Sequence, residues 1–285
     1  MVCNMQLILG HNQFIGISHI SEEKSREKER QFSKVENIYR IVENASDLGY
    51  KNMIIETHPK MLEFINYYEK NQTFDMDFYL QVPYVQGYIQ KVNEKGIQGF
   101  ALDTIKQSGF IQTGHIALKG ALGVLMQDYS SIAFSILKLE ISPFTKVNIK
   151  AVMLHNVMTD LLLSLDAKDA FSDFISNIKK LGLNYGFVTL NFPLLAHRFQ
   201  DWELTSPLVM TPVNPRGFDM NPSITIVSEA LRQHKGDLIA MNILGGGAFP
   251  LQESKAFLDS FENIKYCVIG ASSYNHLREN KEIFG

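Results

Sequence analysis

The residues of this chain whose types suit chemistry are histidines and a carboxylate that follow short apolar runs. His155 comes directly after Ala-Val-Met-Leu, and Glu56 and His58 follow Met-Ile-Ile. Imidazole and carboxylate groups transfer protons near neutral pH, so we expect these three residues to be catalytic. For a histidine such as His155, a structural role at the end of a strand is the alternative.

Further polar residues at the ends of apolar runs are candidates for binding a substrate. Amides donate and accept hydrogen bonds at once, and an arginine pairs with a carboxylate or phosphate in a forked geometry. The candidates are His11, Asn12, Gln81, Asn156, Asn191, Asn214, Arg216 and Asn242. Each asparagine could instead cap a turn, and the arginine could make a surface salt bridge.

Two glycine-containing segments near the end of the chain are typical of an anion-binding loop. The first runs from Leu238 into three glycines, and the second from Lys265 into Gly-Ala-Ser-Ser and an amphipathic helix. Glycines let backbone N–H groups approach a ligand closely, and a helix start attracts anions. We expect a phosphate or cofactor to be bound by Gly245, Gly246, Gly247, Gly270, Ser272, Ser273 and Asn280. A plain turn and a helix cap are the alternatives.

These residues need strands to bring them together, and strand-like runs alternate with helical patterns along the chain. The predicted strands are 6–10, 52–56, 77–82, 147–155, 185–191, 207–213, 237–243 and 265–270. Helical patterns between them include 35–48, 167–181, 223–233 and 253–261. Eight strands alternating with helices predict an α/β fold, a single (β/α)8 TIM barrel spanning residues 1–285, with its chemistry at the carboxyl ends of the strands.

Residues 84–146 are longer than one crossover needs, so we expect a helical insertion between strands 3 and 4. Helical patterns fall at 86–94, 98–108 and 120–139. The insertion is a lid, a contact surface or a surface elaboration. The charged run 21–31 has no apolar stripe and is read as a solvated helical face, with a mobile cover over the site as the sharper alternative.

The segments Ala-Met-Asn-Ile-Leu-Gly-Gly-Gly, Val-Ile-Gly-Ala-Ser-Ser and His-Leu-Arg-Glu-Asn resemble the last two strands of the aldo-keto reductases and their oxidoreductase relatives. The resemblance covers the end of the chain. It implies a nicotinamide cofactor whose pyrophosphate and adenosine lie on these loops. It also implies that His155, which ends a strand as the histidine of the family's Leu-Leu-His does, polarises the substrate carbonyl.

The chain departs from that family at several positions. Glu56 stands where the family carries aspartate, Met61 stands where it carries the catalytic tyrosine, and Gln81 lies where its lysine belongs. Gly270 and His276 stand where basic residues contact the cofactor, so NAD is at least as plausible as NADP. The tyrosines that could replace the missing acid, through a changed backbone path, are Tyr67, Tyr68 and Tyr84.

The composition of the chain argues against several kinds of partner and several kinds of site. A net charge of −3 without a basic stripe argues against nucleic acid and anionic membranes as partners. Cys3 and Cys267 fit neither a disulfide framework nor a metal motif, and the start of the chain has no signal-peptide pattern, so we expect a cytoplasmic protein. We expect no metal site, and the one lysine well inside a strand, Lys150, lies too early in it for a Schiff-base mechanism.

The function expected first is acid/base chemistry of the isomerase or lyase type on a carbonyl or sugar-like small molecule that carries a phosphate or nucleotide. A divergent NAD(P)-dependent aldo-keto reductase is the second possibility, and a non-catalytic binding barrel the third. The sequence leaves the cofactor open, with NAD(P) suiting the second possibility. The expected partner is a small anionic substrate, and a homo-oligomer is possible although no heptad seam is present.

Overall fold

The strands form a closed barrel. The computed structural model describes residues 5–17, 22–85, 87, 129–206 and 208–285, with the backbone alone for 129–133. The eight strands are β1 (Gln6–Leu9), β2 (Asn52–Glu56), β3 (Asp77–Val82), β4 (Asn148–Leu154), β5 (Tyr185–Val188), β6 (Val209–Pro212), β7 (Leu238–Met241) and β8 (Ile264–Ile269). Each pairs in parallel with its neighbour, and β8 pairs with β1. The predicted (β/α)8 barrel is confirmed, and every strand lies where the sequence predicts it.

Ten helices are found within the described residues. They are α1 (Glu22–Gln31), α2 (Val35–Asp47), α3 (Pro59–Asn71), α4 (Tyr129–Ile141), α5 (Asn156–Ser164), α6 (Lys168–Lys180), α7 (Phe192–Asp201), α8 (Ile224–Gln233), α9 (Leu251–Leu258) and α10 (Tyr274–Phe284). The helices predicted at 35–48, 167–181 and 223–233 are confirmed nearly to the residue, and the one at 253–261 begins and ends earlier. None of these ten helices is long and apolar enough to cross a membrane.

The predicted insertion lies largely outside the described residues. The helical patterns at 98–108 and nearly all of 86–94 belong to that part of the chain. α4 covers the second half of the pattern at 120–139 and continues two residues beyond it. It ends in a short 3-10 turn, Ser142–Phe144, from which the chain enters β4.

The alternation of side chains along each strand produces two separate cores. One side faces the helices and the other fills the barrel interior, because successive strand residues point to opposite faces. The interior is filled by Ile8, Ile54, Tyr79, Ala151, Met153, Val188, Met210 and Ile239. The next inward-facing residues of β2, β3 and the end of β4 are Glu56, Gln81 and His155. The strands therefore aim these three side chains at the mouth.

Close packing in the interior depends on a glycine of β5. A Cβ atom built on Gly186 would lie 2.6 Å from the sulfur of Met153 and 2.7 Å from the carbonyl oxygen of Leu208. Neither distance is tolerated by a carbon atom, so this position admits no side chain. β5 can therefore approach both neighbouring strands at the level just below the mouth.

Candidate functional site

A buried carboxylate surrounded by histidines forms the centre of the site. Nε2 of His11 lies 3.6 Å from Oε1 of Glu56, an ion-pair distance slightly too long for a direct hydrogen bond. Only 4% of His11 and 7% of Glu56 are exposed. Burial is the largest single influence on the pKa of Glu56 and raises it, but the contact with His11 and the charges of His155 and His58 outweigh it. The pKa of Glu56 is lowered overall, so it carries a negative charge at neutral pH.

His58 and His155 are held in the same way by the helices that follow them. Each is the N-cap residue of its helix, and its Nδ1 accepts the N–H of the residue two positions on, at 3.1 Å from Lys60 and 3.2 Å from Val157. A ring nitrogen that accepts carries no proton, so in the neutral ring Nε2 carries it. Burial lowers the pKa of both rings and the charge of Glu56 offsets this in part. Both histidines are therefore neutral near pH 7 and present Nε2–H as a donor.

His11 differs from the other two histidines. Its Nδ1 is fully buried and has no hydrogen-bond partner within the described residues. Its Nε2 faces Glu56, so the ring contacts that carboxylate and does not cap a helix. In the described ranges, no group of three or more His, Cys, Asp and Glu side chains is arranged to hold a metal ion.

Tyr84, one of the three tyrosines considered as a replacement for the missing acid, completes the cluster. The ring of Tyr84 lies 5.4 Å from that of His58, edge to face, and burial and the charge of Glu56 raise the pKa of its hydroxyl. The backbone N–H of Tyr84 donates to Oε2 of Glu140 at 3.4 Å, and the hydroxyl of Thr57 donates to the same oxygen. The carboxylate of Glu140, from α4, thus ties the loops that follow β2 and β3 together.

Two features explain why the sequence alone did not distinguish Tyr84 from the other two candidate tyrosines. It lies at the start of the segment predicted to be an insertion, where no strand pattern marks its position. The space for its ring also depends on Gly87, since a Cβ atom there would lie 2.5 Å from a ring carbon of Tyr84. Of the other two tyrosines considered, Tyr68 is buried in α3 with its hydroxyl donating to the carbonyl of Phe74 at 2.9 Å. The available signal was a tyrosine directly after the strand end Val-Pro.

A cavity of about 650 Å³ opens beside this cluster. Its floor is the barrel interior, with Ile54, Gln81, Met210, Met241 and Val268. Its walls come from the loops after β1, β7 and β8 and from α1 and α10. His11 and Gln81 belong to its lining, and His11 also contacts Glu56. The volume lies within the range of about 300–1,000 Å³ that is common for small-molecule and cofactor sites.

Most of the predicted phosphate or cofactor residues line this cavity. They are Gly246, Gly247, Gly270, Ser272 and Asn280. The three consecutive glycines have φ angles of 53°, 73° and 97°, which favour glycine. Gly245 itself lies outside the lining, and the hydroxyl of Ser273 caps α10 by accepting the N–H of His276 at 3.3 Å.

Gln13 is a cavity residue that the sequence analysis missed. A Cβ atom on Gly270 would lie 2.8 Å from Oε1 of Gln13. Nε2 of Gln13 donates to the carbonyl oxygen of Gly10 at 2.6 Å, which fixes the side chain in this position. The space that a side chain at position 270 would need is therefore filled from the loop after β1.

The predicted substrate-binding residues divide into two groups. His11, Asn12, Gln81 and Asn242 line the cavity, and the amide of Asn242 donates to Asp219 at 2.9 Å. Asn156, the first residue of α5, is half-buried and lies outside the lining.

Three further predicted residues have other partners. Asn191 caps α7 by accepting the N–H of Leu194 at 3.3 Å, and Arg216 pairs with Glu253 at 3.3 Å on the surface. Asn214 is completely buried, and its side-chain oxygen accepts two N–H groups of its own loop, at 3.3 and 2.8 Å. For these three the structure shows the turn-capping and salt-bridge alternatives.

Comparisons with known proteins agree on the fold. The sequence matches no protein-family model and no curated protein. Among solved structures, it is similar to a thermostable aldo-keto reductase in complex with the inhibitor epalrestat, with 12% identity, a TM-score of 0.59, and 98% of this chain and 89% of the other covered. It is also similar to a protein from Pseudomonas aeruginosa described as an aldo-keto reductase, with 13% identity, a TM-score of 0.58 and the same coverage. The chain thus shares the (β/α)8 fold of these two structures.

Proposed function

We propose that this chain is a nicotinamide-dependent oxidoreductase that interconverts a carbonyl and an alcohol on a small molecule. One observation carries the proposal: His11 belongs both to the histidine–carboxylate cluster and to the lining of the 650 Å³ cavity. A group bound in the cavity would thus sit next to proton-transfer residues. Solved structures to which the chain is similar include aldo-keto reductases, which favours redox chemistry over the isomerase or lyase reaction expected first.

The glycine-containing lining of the cavity suits a dinucleotide. Gly246 and Gly247 line it on the loop after β7, so a ligand can approach the main chain there. Gly246, Gly247, Gly270, Ser272 and Asn280 would hold the nucleotide. When bound, a nicotinamide supplies or accepts the hydride.

The cluster residues would handle the substrate oxygen. Neutral His155, fixed with its proton on Nε2, donates a hydrogen bond to that oxygen and polarises it. Tyr84 keeps its hydroxyl proton at neutral pH, since its pKa is raised, and would donate it to the substrate oxygen as hydride arrives at the carbonyl carbon. The negative charge of Glu56 opposes ionisation of Tyr84 and so favours return of the proton to its hydroxyl.

Acid/base chemistry without redox is the second candidate, and the ionised state of Glu56 is the observation that favours it. A buried carboxylate beside two neutral imidazole donors could remove a proton next to a carbonyl group. The glycine-lined loops would then hold a substrate phosphate. The same residues serve both reactions, so only the ligand separates them.

Titration with NAD+, NADH, NADP+ and NADPH tests the proposal. We expect at least one of them to bind with micromolar affinity, followed by turnover of a panel of aldehydes and ketones that Glu56→Gln and Tyr84→Phe reduce. Arg216→Gln is a matched control, because Arg216 pairs with Glu253 outside the cavity lining. Binding by none of the four nucleotides would refute the redox proposal and leave the second candidate.

A further inference from the structure

One helix over the cavity is unusual in its composition. α1 has the sequence Glu-Glu-Lys-Ser-Arg-Glu-Lys-Glu-Arg-Gln and no buried residue. Isolated helices shorter than about 12–15 residues are marginally stable in water, and most protein helices are held by an apolar face. α1 has no such face, so polar contacts must hold it in place.

The face that α1 turns to the cavity is regular. Lys24, Glu27, Lys28 and Gln31 line the cavity, and their spacing of three, four and seven residues defines one side of a helix. Nε2 of Gln31 donates to the carbonyl oxygen of Ser272 at 2.7 Å. This bond joins the end of α1 to the loop from which α10 starts.

The two lysines of this face are one turn apart. Like charges at this spacing destabilise a helix slightly. Lys28 is half-buried, and burial lowers the pKa of its ammonium group, with Glu27 raising it and Lys24 lowering it further. Two lysines that line a cavity, one exposed and one half-buried, are suited to a bound anion.

The opposite wall supplies a further attraction for negative charge. The first turn of α10 begins beside Ser272, and the N-terminal end of a helix attracts anions. Two carboxylates, Glu27 and Glu279, and the ring of His276 also line this end of the cavity. Carboxylates accept hydrogen bonds from hydroxyl groups, so this end suits a phosphate attached to a sugar better than a free anion.

We propose that Lys24 and Lys28 of α1 bind the phosphate groups of a nucleotide held between α1 and the start of α10. The proposal rests on the proposed function for the identity of the nucleotide, and on the cavity geometry for the site. Binding would fix α1 by adding charge-assisted contacts to the bond of Gln31 with Ser272.

The test compares two double variants of the same helix. Lys24→Gln with Lys28→Gln removes two positive charges from the cavity face. Arg26→Gln with Arg30→Gln removes two from residues that do not line the cavity; Arg26 pairs with Glu22 at 3.3 Å. The probes are NADH, ADP and adenosine, titrated by calorimetry at low salt.

We expect the lysine variant to bind ADP and NADH about tenfold or more weakly, as loss of charge-assisted contacts implies. The arginine variant should bind both within about twofold of the unmodified protein, since surface charges contribute little. Adenosine, which has no phosphate, should bind both variants alike. Equal loss of adenosine binding would show damage to the site as a whole and overturn the proposal.

The remaining outcomes separate the two proposals. If NADH binds but the lysine variant binds it as tightly as the unmodified protein, the phosphate site is refuted and the redox function stands. If no nicotinamide binds while ADP does, and the lysine variant loses ADP, the redox function is refuted and the site stands. Absence of binding by ADP and by all four nicotinamide nucleotides overturns both.

Discussion

The substitution Glu56→Gln tests whether the negative charge at the centre of the cluster matters for activity more than for the stability of the fold. Glutamine keeps the shape of the side chain and removes only the charge. The lost contact with His11 costs about 1–3 kcal/mol, the cost of leaving a buried polar group without its charged partner. Removing a charge that is 7% exposed also relieves a desolvation penalty of similar size. We therefore expect the free energy of unfolding to change by no more than about 1 kcal/mol.

The activity should respond much more strongly than the stability. A positioned acid/base group contributes about a hundredfold or more to the rate, so kcat should fall by about that factor. The pKa values of His58 and His155 should also fall, because the charge of Glu56 raises both in the unmodified protein. Proton NMR of the ring Cε1–H signals measures these values, with Asn variants of each histidine to assign the signals.

The pH dependence of the free energy of unfolding tests the direction of the pKa shift of Glu56. The pKa of Glu56 is lowered in the folded state, so its stabilisation is present above the pKa of an unfolded glutamate and disappears as the pH falls through the folded value. Any stability advantage of the unmodified protein should therefore vanish well below about pH 4. If Glu56→Gln leaves both histidine pKa values and kcat unchanged, the cluster does not act as described.

Three further substitutions test other parts of the reasoning. Tyr84→Phe should lower kcat by about a hundredfold or more with nucleotide affinity unchanged, and steady-state kinetics with an affinity titration will show whether the hydroxyl transfers the proton; an unchanged kcat contradicts this. Asn214→Ala should destabilise the fold by about 2 kcal/mol because two loop N–H groups lose their buried acceptor, measured by urea denaturation, with ligand affinity unchanged. Gly186→Ala should cost about 1–3 kcal/mol through overlap with Met153 and Leu208, and a variant as stable as the parent would show that β5 can shift.

The strands could be read from the sequence because each is a short apolar run of the right length. β2 and β8, for example, are confirmed where they were predicted. The cluster was predicted in part from the same strands. Side chains alternate between the two faces of a strand, so a residue two positions beyond the last inward-facing apolar residue also faces inward, at the mouth. Glu56 and His155 satisfy that rule, which needs no knowledge of distant residues.

Other parts of the site could not be predicted because they depend on partners far away in the chain. An asparagine at a strand end can face a ligand or satisfy its own turn, and only the loop conformation decides, as Asn214 shows. Tyr84 needs space left by Gly87 and a carboxylate from Glu140. Gln13 fills the place of a side chain at Gly270, more than 250 residues later in the chain.

Two backbone amides, which His58 and His155 cap, report whether these histidines are protonated. The N–H groups of Lys60 and Val157 are bonded only as long as Nδ1 of the preceding cap carries no proton. A second proton on either ring therefore releases an amide at the first turn of α3 or α5, while the rest of each helix keeps its bonds. The ionisation of these rings would be visible as exchange of one amide with solvent, without any substrate. Exchange of these two amides with solvent thus reports the protonation state of His58 and His155 at the mouth of the barrel.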